Sequence, residues 1–211
     1  LAGAEIQTGG HITYPITLNA SYPVNYYDPA CATAQTQVKI GVMTPDNYDP
    51  DRPTPLLIVA HGALESYANA LEEWSGAANT HGWLLASSEM RGQVHPHKWE
   101  PGCPGSAGEY YLSSLPSQHD VLDLIAYMQA HYNVDPDRIY MAGYSLGGMH
   151  ALIMGAKYPD LFAAVAADKA ITDLAAWYAK SDTGRRVNLE KETGGTPDSV
   201  PFEYSRRSPL Q

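Results

Sequence analysis

The sequence lacks several features that would point to other classes of protein. Its 211 residues contain no run of about 18 apolar residues, so no membrane-spanning helix is expected, and the first residues have no signal-peptide pattern. Lys and Arg number 13 against 23 Asp and Glu and form no basic stripe, which argues against a nucleic-acid partner. The arginine pairs Arg185-Arg186 and Arg206-Arg207 lie in polar stretches, so we expect both on the solvated surface.

Cysteine is scarce as well, with Cys31 and Cys103 the two in the chain, each in a loop-like stretch. A pair of cysteines in loops favours a disulfide and an oxidising compartment, so we expect a secreted or periplasmic protein in its mature form. Two free thiols in a cytosolic protein are the alternative. His95 and His97 resemble half of a metal site, but no third ligand is obvious, and we expect neither a metal nor another cofactor.

Apolar runs and turn signals alternate in the order of an α/β fold. Residues 1–50 are expected to form leading strands, with an edge strand at 38–42. The patterns that follow predict strands at 55–60, 83–87, 138–142 and 162–167, and helices at 68–80, 118–132 and 145–157. This order predicts one domain over residues 1–211 with a mostly parallel sheet and right-handed crossovers. The long polar stretch 89–116 is expected to form a rim over the site.

The strongest chemical signal is Gly143-Tyr144-Ser145-Leu146-Gly147, which lies between a predicted strand and a predicted helix. That context is typical of a nucleophile elbow, in which small flanking residues let a serine occupy a strained turn with its hydroxyl exposed. A glycine-rich turn that merely needs small residues is the alternative. We interpret Ser145 as a nucleophile.

Two backbone groups are candidates for an oxyanion hole. The N–H of Leu146 lies at the start of the helix, where amides have no intrahelical partner and the helix dipole favours negative charge. The N–H of Ala63 follows the predicted strand at 55–60 and the pair His61-Gly62, which is where the second donor of such sites usually lies.

The chain resembles the prolyl-oligopeptidase-like branch of the α/β-hydrolases, including its secreted esterases. The matching segments are TPDNYDPDRPTPLLIVAHG, EMRG, HDVLDLIAYM, VDPDRIYMAGYSLGG, YPDLFAAVAA, ITDLAAW and SRRSPL. The resemblance implies a three-layer α/β-hydrolase sandwich whose C-terminal strands are absent from this chain. It also implies Ser145 as nucleophile, with Ala63 and Leu146 as oxyanion donors.

A complete catalytic triad is not visible in the sequence. In the family that this chain resembles, the acid and then the histidine follow the serine, yet no histidine follows His150. We therefore expect a truncated or nicked chain, with a C-terminal segment carrying both partners. His95 and His97 in the rim are the alternative bases, and Asp168 and Asp173 are weak alternatives for the acid.

The expected function is hydrolysis of carboxylic esters through an acyl-enzyme on Ser145. A peptidase of the same branch and a non-catalytic binding protein are the alternatives, and the short stretch before the first core strand favours esters because it cannot form a peptidase gating domain. Trp99, Tyr110 and Tyr111 in the rim, with Tyr144, would suit an aryl, cinnamoyl or polyester substrate, small or polymeric. Alternatively, the rim aromatics anchor the loop.

Overall fold

A computed structural model describes residues 11–24, 35–91 and 111–211. The strands in these ranges are β1 (His11–Val24), β2 (Gln35–Thr44), β3 (Thr54–Ala60), β4 (Leu84–Ser88), β5 (Val134–Tyr144) and β6 (Ala164–Asp168). The helices are α1 (Tyr67–His81), α2 (Leu115–His131), α3 (Leu146–Lys157), α4 (Leu174–Lys180), α5 (Thr183–Thr193) and α6 (Pro201–Ser205). Over the described ranges, none of these helices is long and apolar enough to cross a membrane.

The strands form one sheet in the order β1-β2-β4-β3-β5-β6. Strands β4, β3, β5 and β6 run parallel, while β1 and β2 are antiparallel to their neighbours. The predicted mostly parallel sheet is therefore confirmed. The prediction of an edge strand at 38–42 is wrong, because β2 has β1 on one side and β4 on the other.

Helices cover both faces of the sheet, which gives the three layers of the predicted sandwich. Alternate residues of β3 point to opposite faces, as the two-residue period of a strand requires. Leu56 and Ile58 pack in the large core with α2 and α3, whereas Leu57 and Val59 pack in the smaller core with α1. The central strands are consequently buried on both faces, which explains their continuous apolar sequence.

Capping residues set the ends of α1. The hydroxyl of Ser66 accepts the N–H of Asn69, whose side chain in turn accepts the N–H of Ser66, so both halves of a capping box are present. At the other end Gly82 has φ 68°, the left-handed conformation that terminates helices. The predicted helix at 68–80 is thereby confirmed, and its N-cap fixes the loop between β3 and α1.

The expectation that both arginine pairs lie on the surface is wrong for Arg207. Its side chain is fully buried and pairs with Glu192 at 3.0 Å and Glu203 at 3.1 Å. The guanidinium also donates to the carbonyl of Leu112 at 3.2 Å. A guanidinium can be buried when carboxylates and carbonyls satisfy its donors, and these partners come from α5, α6 and the turn before α2.

The far side of β6 is exposed. Among the described residues, β6 pairs with β5 alone. The side chains of Ala164, Ala166 and Ala167 are exposed there. An apolar, unpaired strand edge is a surface that soluble proteins normally cover or charge.

Candidate active site

Ser145 occupies a sharp turn between the end of β5 and the start of α3. Its backbone has φ 54° and ψ −113°, and its N–H donates to the carbonyl of Asp168 at 2.8 Å. A positive φ is strained for a residue with a Cβ, and surrounding contacts must hold it in place. The structure therefore has the strand, turn and helix that the GxSxG spacing predicted.

The flanking glycines are required by close backbone contacts. A Cβ on Gly143 would strike the carbonyl of Gly147, the second residue of α3. A Cβ on Gly147 would strike the carbonyl of Ala60 at the end of β3. Because Gly147 touches the end of β3, the start of α3 is held directly against the loop that carries Ala63.

That loop follows β3 and runs through His61, Gly62 and Ala63 to Glu65. The buried ring of His61 lies 2.9 Å from the carbonyl of Gly62 and 3.2 Å from that of Glu89, and the Tyr111 hydroxyl donates to the His61 carbonyl at 2.7 Å. The N–H of Gly62 donates to the Glu65 carboxylate at 2.7 Å. Within the described residues the N–H of Ala63 has no hydrogen-bond partner, so it is free to bind a ligand oxygen.

The surroundings of Ser145 are partly open. Its hydroxyl has no hydrogen-bond partner in the parts of the chain that the structure describes. Tyr144 is 38% exposed, and the ammonium of Lys169 lies 5.1 Å from the centre of its ring. On the loop after β3, Leu64 is 70% exposed. The predicted pocket residue Tyr144 thus lies at an open surface beside Ser145.

Neither of the two buried histidines near the elbow can serve Ser145 as a base. His150 is fully buried, and its Nδ1 lies 2.8 Å from the Ser113 hydroxyl. Burial lowers the pKa of His150 to about 3, and its Nε2 has no partner among the described residues. Burial also lowers the pKa of His61, whose ring is turned toward the two carbonyls above.

The two aspartates weighed as alternative acids have other surroundings. Asp173 caps α4 by accepting the N–H of Ala176 at 2.9 Å. Asp168 ends β6 with a side chain that is 65% exposed and lies 3.5 Å from the Lys169 ammonium. Neither orients a histidine in the described ranges.

One fully buried ion pair was not predicted from the sequence. Arg91, after β4, binds Asp120 of α2 through contacts of 2.5 to 3.1 Å, and both side chains are fully buried. The signal that could have found it is that both residues fall in segments that carry the family resemblance, EMRG and HDVLDLIAYM. The pair fixes the end of β4 to α2.

Tyr111, expected in the rim, is fully buried in the large core. Its ring meets those of His61 and His150 edge-on. Tyr111 therefore anchors the loop to the domain, which is one of the two interpretations of the rim aromatics. It does not line a cleft, which is the other.

Several predicted residues lie outside the described ranges: Trp99, Tyr110, His95, His97, Cys31 and Cys103. Their roles stay predictions. Within the described ranges, no group of three or more His, Cys, Asp or Glu side chains could hold a metal ion.

Known sequences are similar to the part of the chain that contains the elbow. The sequence profile of the Prolyl oligopeptidase family matches residues 114–211. Poly(3-hydroxyalkanoate) depolymerase C of Paucimonas lemoignei is 30% identical over 118 residues, and the uncharacterized peptidase YtmA of Bacillus subtilis is 29% identical over 93 residues. These matches cover 53% and 44% of this chain but only 27% and 36% of those proteins.

The fold also matches solved structures. The S-formylglutathione hydrolase of Agrobacterium tumefaciens superposes with a TM-score of 0.60 over 99% of this chain and 72% of that one. At 16% sequence identity this likeness establishes the fold alone.

Proposed function

Because this chain is a prolyl-oligopeptidase-like α/β-hydrolase, we propose that it is a serine hydrolase that cleaves carboxylic esters through an acyl-enzyme on Ser145. The observation that carries the proposal is the strained turn at Ser145, with φ 54°, at the N-terminus of α3. Such a turn presents a hydroxyl next to unpaired helical amides, the arrangement that acyl transfer needs.

In the proposed reaction, Ser145 Oγ loses its proton to a base and bonds to the ester carbonyl carbon. The carbonyl oxygen becomes an oxyanion, which accepts hydrogen bonds from the N–H groups of Leu146 and Ala63. The carbon–oxygen bond to the alcohol then breaks as the base returns its proton to the leaving oxygen. Water, deprotonated by the same base, next attacks the acyl group on Ser145, and the acid leaves as the proton returns to Ser145 Oγ. Each oxyanion donor of this kind contributes about 2.7 to 4 kcal/mol to lowering the barrier.

We propose that the base and its orienting acid come from a C-terminal segment outside the 211 residues. Two observations support this source. Neither buried histidine near the elbow is placed to serve Ser145, and the outer edge of β6 is apolar and unpaired within the described part of the chain. Because parallel strands present their carboxyl ends at the same edge of the sheet, strands added beside β6 would deliver side chains near Ser145.

The proposed substrates are small or polymeric esters with an aryl, cinnamoyl or polyester group, which would suit a site beside Tyr144. Trp99 stays a predicted pocket residue. The similarity to Poly(3-hydroxyalkanoate) depolymerase C supports an ester substrate, since hydroxyalkanoate units are joined by ester bonds. A peptidase is the second candidate, since the family profile and the YtmA relative both carry peptidase names.

The test compares hydrolysis of p-nitrophenyl butyrate with that of a peptide p-nitroanilide by the intact protein and its Ser145→Ala variant. We expect ester hydrolysis that Ser145→Ala abolishes, with the anilide cleaved at least about 100-fold more slowly. Equal rates on both substrates would favour the peptidase. Ester hydrolysis that persists in Ser145→Ala would contradict the proposed nucleophile.

We also propose a disulfide between Cys31 and Cys103 and a secreted or periplasmic location. Two cysteines in loop-like sequence support this pairing. Alkylation under denaturing conditions without reductant should leave both cysteines unmodified. Alkylation of both thiols before reduction would refute the disulfide and remove the main support for export.

A further inference from the structure

We infer that Glu65 is a positioning residue for the oxyanion hole, in that its carboxylate fixes the turn that aims the N–H of Ala63 at the substrate. This inference rests on the proposed function of Ser145. Glu65 does not touch the reacting atoms, and it acts through Gly62 and Ala63.

The turn from Gly62 to Glu65 is closed twice. The Gly62 N–H donates to Glu65 Oε2 at 2.7 Å, and the Glu65 N–H approaches the Gly62 carbonyl at 3.4 Å. Between them, Leu64 has φ 65°, a conformation that is strained for leucine. A strained residue needs contacts that hold it, and the charged hydrogen bond from Gly62 to Glu65 is the shorter of the two.

The hydrogen bond from Gly62 to Glu65 determines which backbone N–H of the turn can bind the oxyanion. The N–H of Gly62 is occupied by Glu65, and the next N–H along the chain, that of Ala63, is unpaired among the described residues. Without the carboxylate, the Gly62 N–H would lose its acceptor. The backbone of the turn would then be free to leave the strained conformation at Leu64. The Ala63 amide would then move away from the oxyanion position.

The other supports of this loop act on its first half. The His61 ring lies against the Gly62 and Glu89 carbonyls, and Gly147 packs on the carbonyl of Ala60. Glu65 is therefore the support on the far side of Ala63, immediately before Ser66 caps α1. Because the backbone is fixed on both sides of Ala63, its N–H keeps the same orientation while negative charge develops on the substrate oxygen.

The charge of Glu65 and its hydrogen bond have opposite effects on catalysis. A carboxylate near a developing oxyanion raises the barrier by repulsion, whereas the bond to Gly62 lowers it by fixing the donor. A glutamine has an amide oxygen that can accept the same N–H without the charge. Glu65→Gln should therefore preserve activity, and Glu65→Ala should not.

The experiment measures ester hydrolysis by the intact protein and by Glu65→Gln, Glu65→Ala and the control Glu73→Ala on the exposed side of α1. We expect Glu65→Ala to lower kcat about 100-fold with KM changed less than about threefold, because a misplaced donor weakens transition-state binding alone. Glu65→Gln should stay within about threefold of the parent. Glu73→Ala should behave like the parent.

Two results would overturn the inference: Glu65→Ala with unchanged kcat, or Glu65→Gln as impaired as Glu65→Ala, which would assign the effect to charge. Amide hydrogen exchange at Gly62 separates this inference from the proposed function, because it needs no activity. Protection of that amide in the parent and Glu65→Gln, lost in Glu65→Ala, supports the turn. An unprotected Gly62 amide in the parent refutes the turn even if esters are hydrolysed, and a protected amide in a protein inert toward esters refutes the function alone.

Discussion

Replacement of His150 by glutamine should reduce the loss of stability that the protein suffers in mild acid. His150 is fully buried, and its pKa falls from 6.5 in the unfolded chain to about 3 in the fold because burial disfavours the charged ring. Between these two pH values the unfolded state binds a proton that the folded state does not. The contribution of neutral His150 to the free energy of unfolding is therefore complete above pH 6.5 and is lost as the pH falls toward 3.

The size of the effect follows from proton linkage. Between pH 7.5 and 5.0, a histidine with these two pKa values removes about 2 kcal/mol from the free energy of unfolding. Burial lowers the pKa of His61 as well. His61 therefore adds to the pH dependence of the free energy of unfolding in both the parent and the variant. The difference between the two proteins therefore isolates His150.

Urea unfolding at pH 7.5, 6.5, 5.5 and 5.0 measures the effect. Glutamine does not titrate and can still bond to the Ser113 hydroxyl, so His150→Gln should lose about 2 kcal/mol less than the parent over this range. His131→Gln, at the exposed end of α2, is the matched control and should follow the parent. Parallel curves for the parent and His150→Gln would refute the burial argument.

Three further predictions concern other parts of the fold. Gly147→Ala should abolish ester hydrolysis with little change in helix content by circular dichroism, because its Cβ would push α3 away from the Ala60 carbonyl; retained activity would contradict the close packing. Arg207→Met should destabilise the protein by about 3 to 5 kcal/mol in urea unfolding, since Glu192 and Glu203 would lose their buried cation; a change within error would contradict this pairing. Residues 1–211 expressed alone should aggregate through the exposed β6 edge and sediment in centrifugation. Ala166→Lys should increase the soluble fraction. A soluble, cooperatively melting monomer of the unmodified residues would contradict this role of the edge.

The sequence allowed the elbow to be predicted because its signal is local. The spacing of Gly143, Ser145 and Gly147 between an apolar run and an apolar helix specifies a strand, a turn and a helix without reference to distant residues. The continuous apolar run of β3 likewise predicted a strand that is buried on both faces. Such features depend on neighbours within a few positions along the chain.

The errors arose where long-range contacts decide the outcome. Arg207 looks like a surface residue until α5 and α6 bring carboxylates to it, and Tyr111 looks like part of a polar rim until its hydroxyl meets the His61 carbonyl. The position of β2 in the sheet depends on β1, whose pairing is not encoded in 38–42. The bond from Gly62 to Glu65 spans three residues, yet glutamate there is unremarkable in sequence and its role shows only in three dimensions.

Labelling of the intact protein with a fluorophosphonate, followed by tryptic mapping, tests the central claim most directly. Cleavage after Arg138 and Lys157 releases residues 139–157, in which Ser145 is the one serine. We predict a stoichiometric adduct on that peptide and none in Ser145→Ala. A folded, intact protein that remains unlabelled, or a label on another residue, would contradict the assignment of Ser145 as the nucleophile.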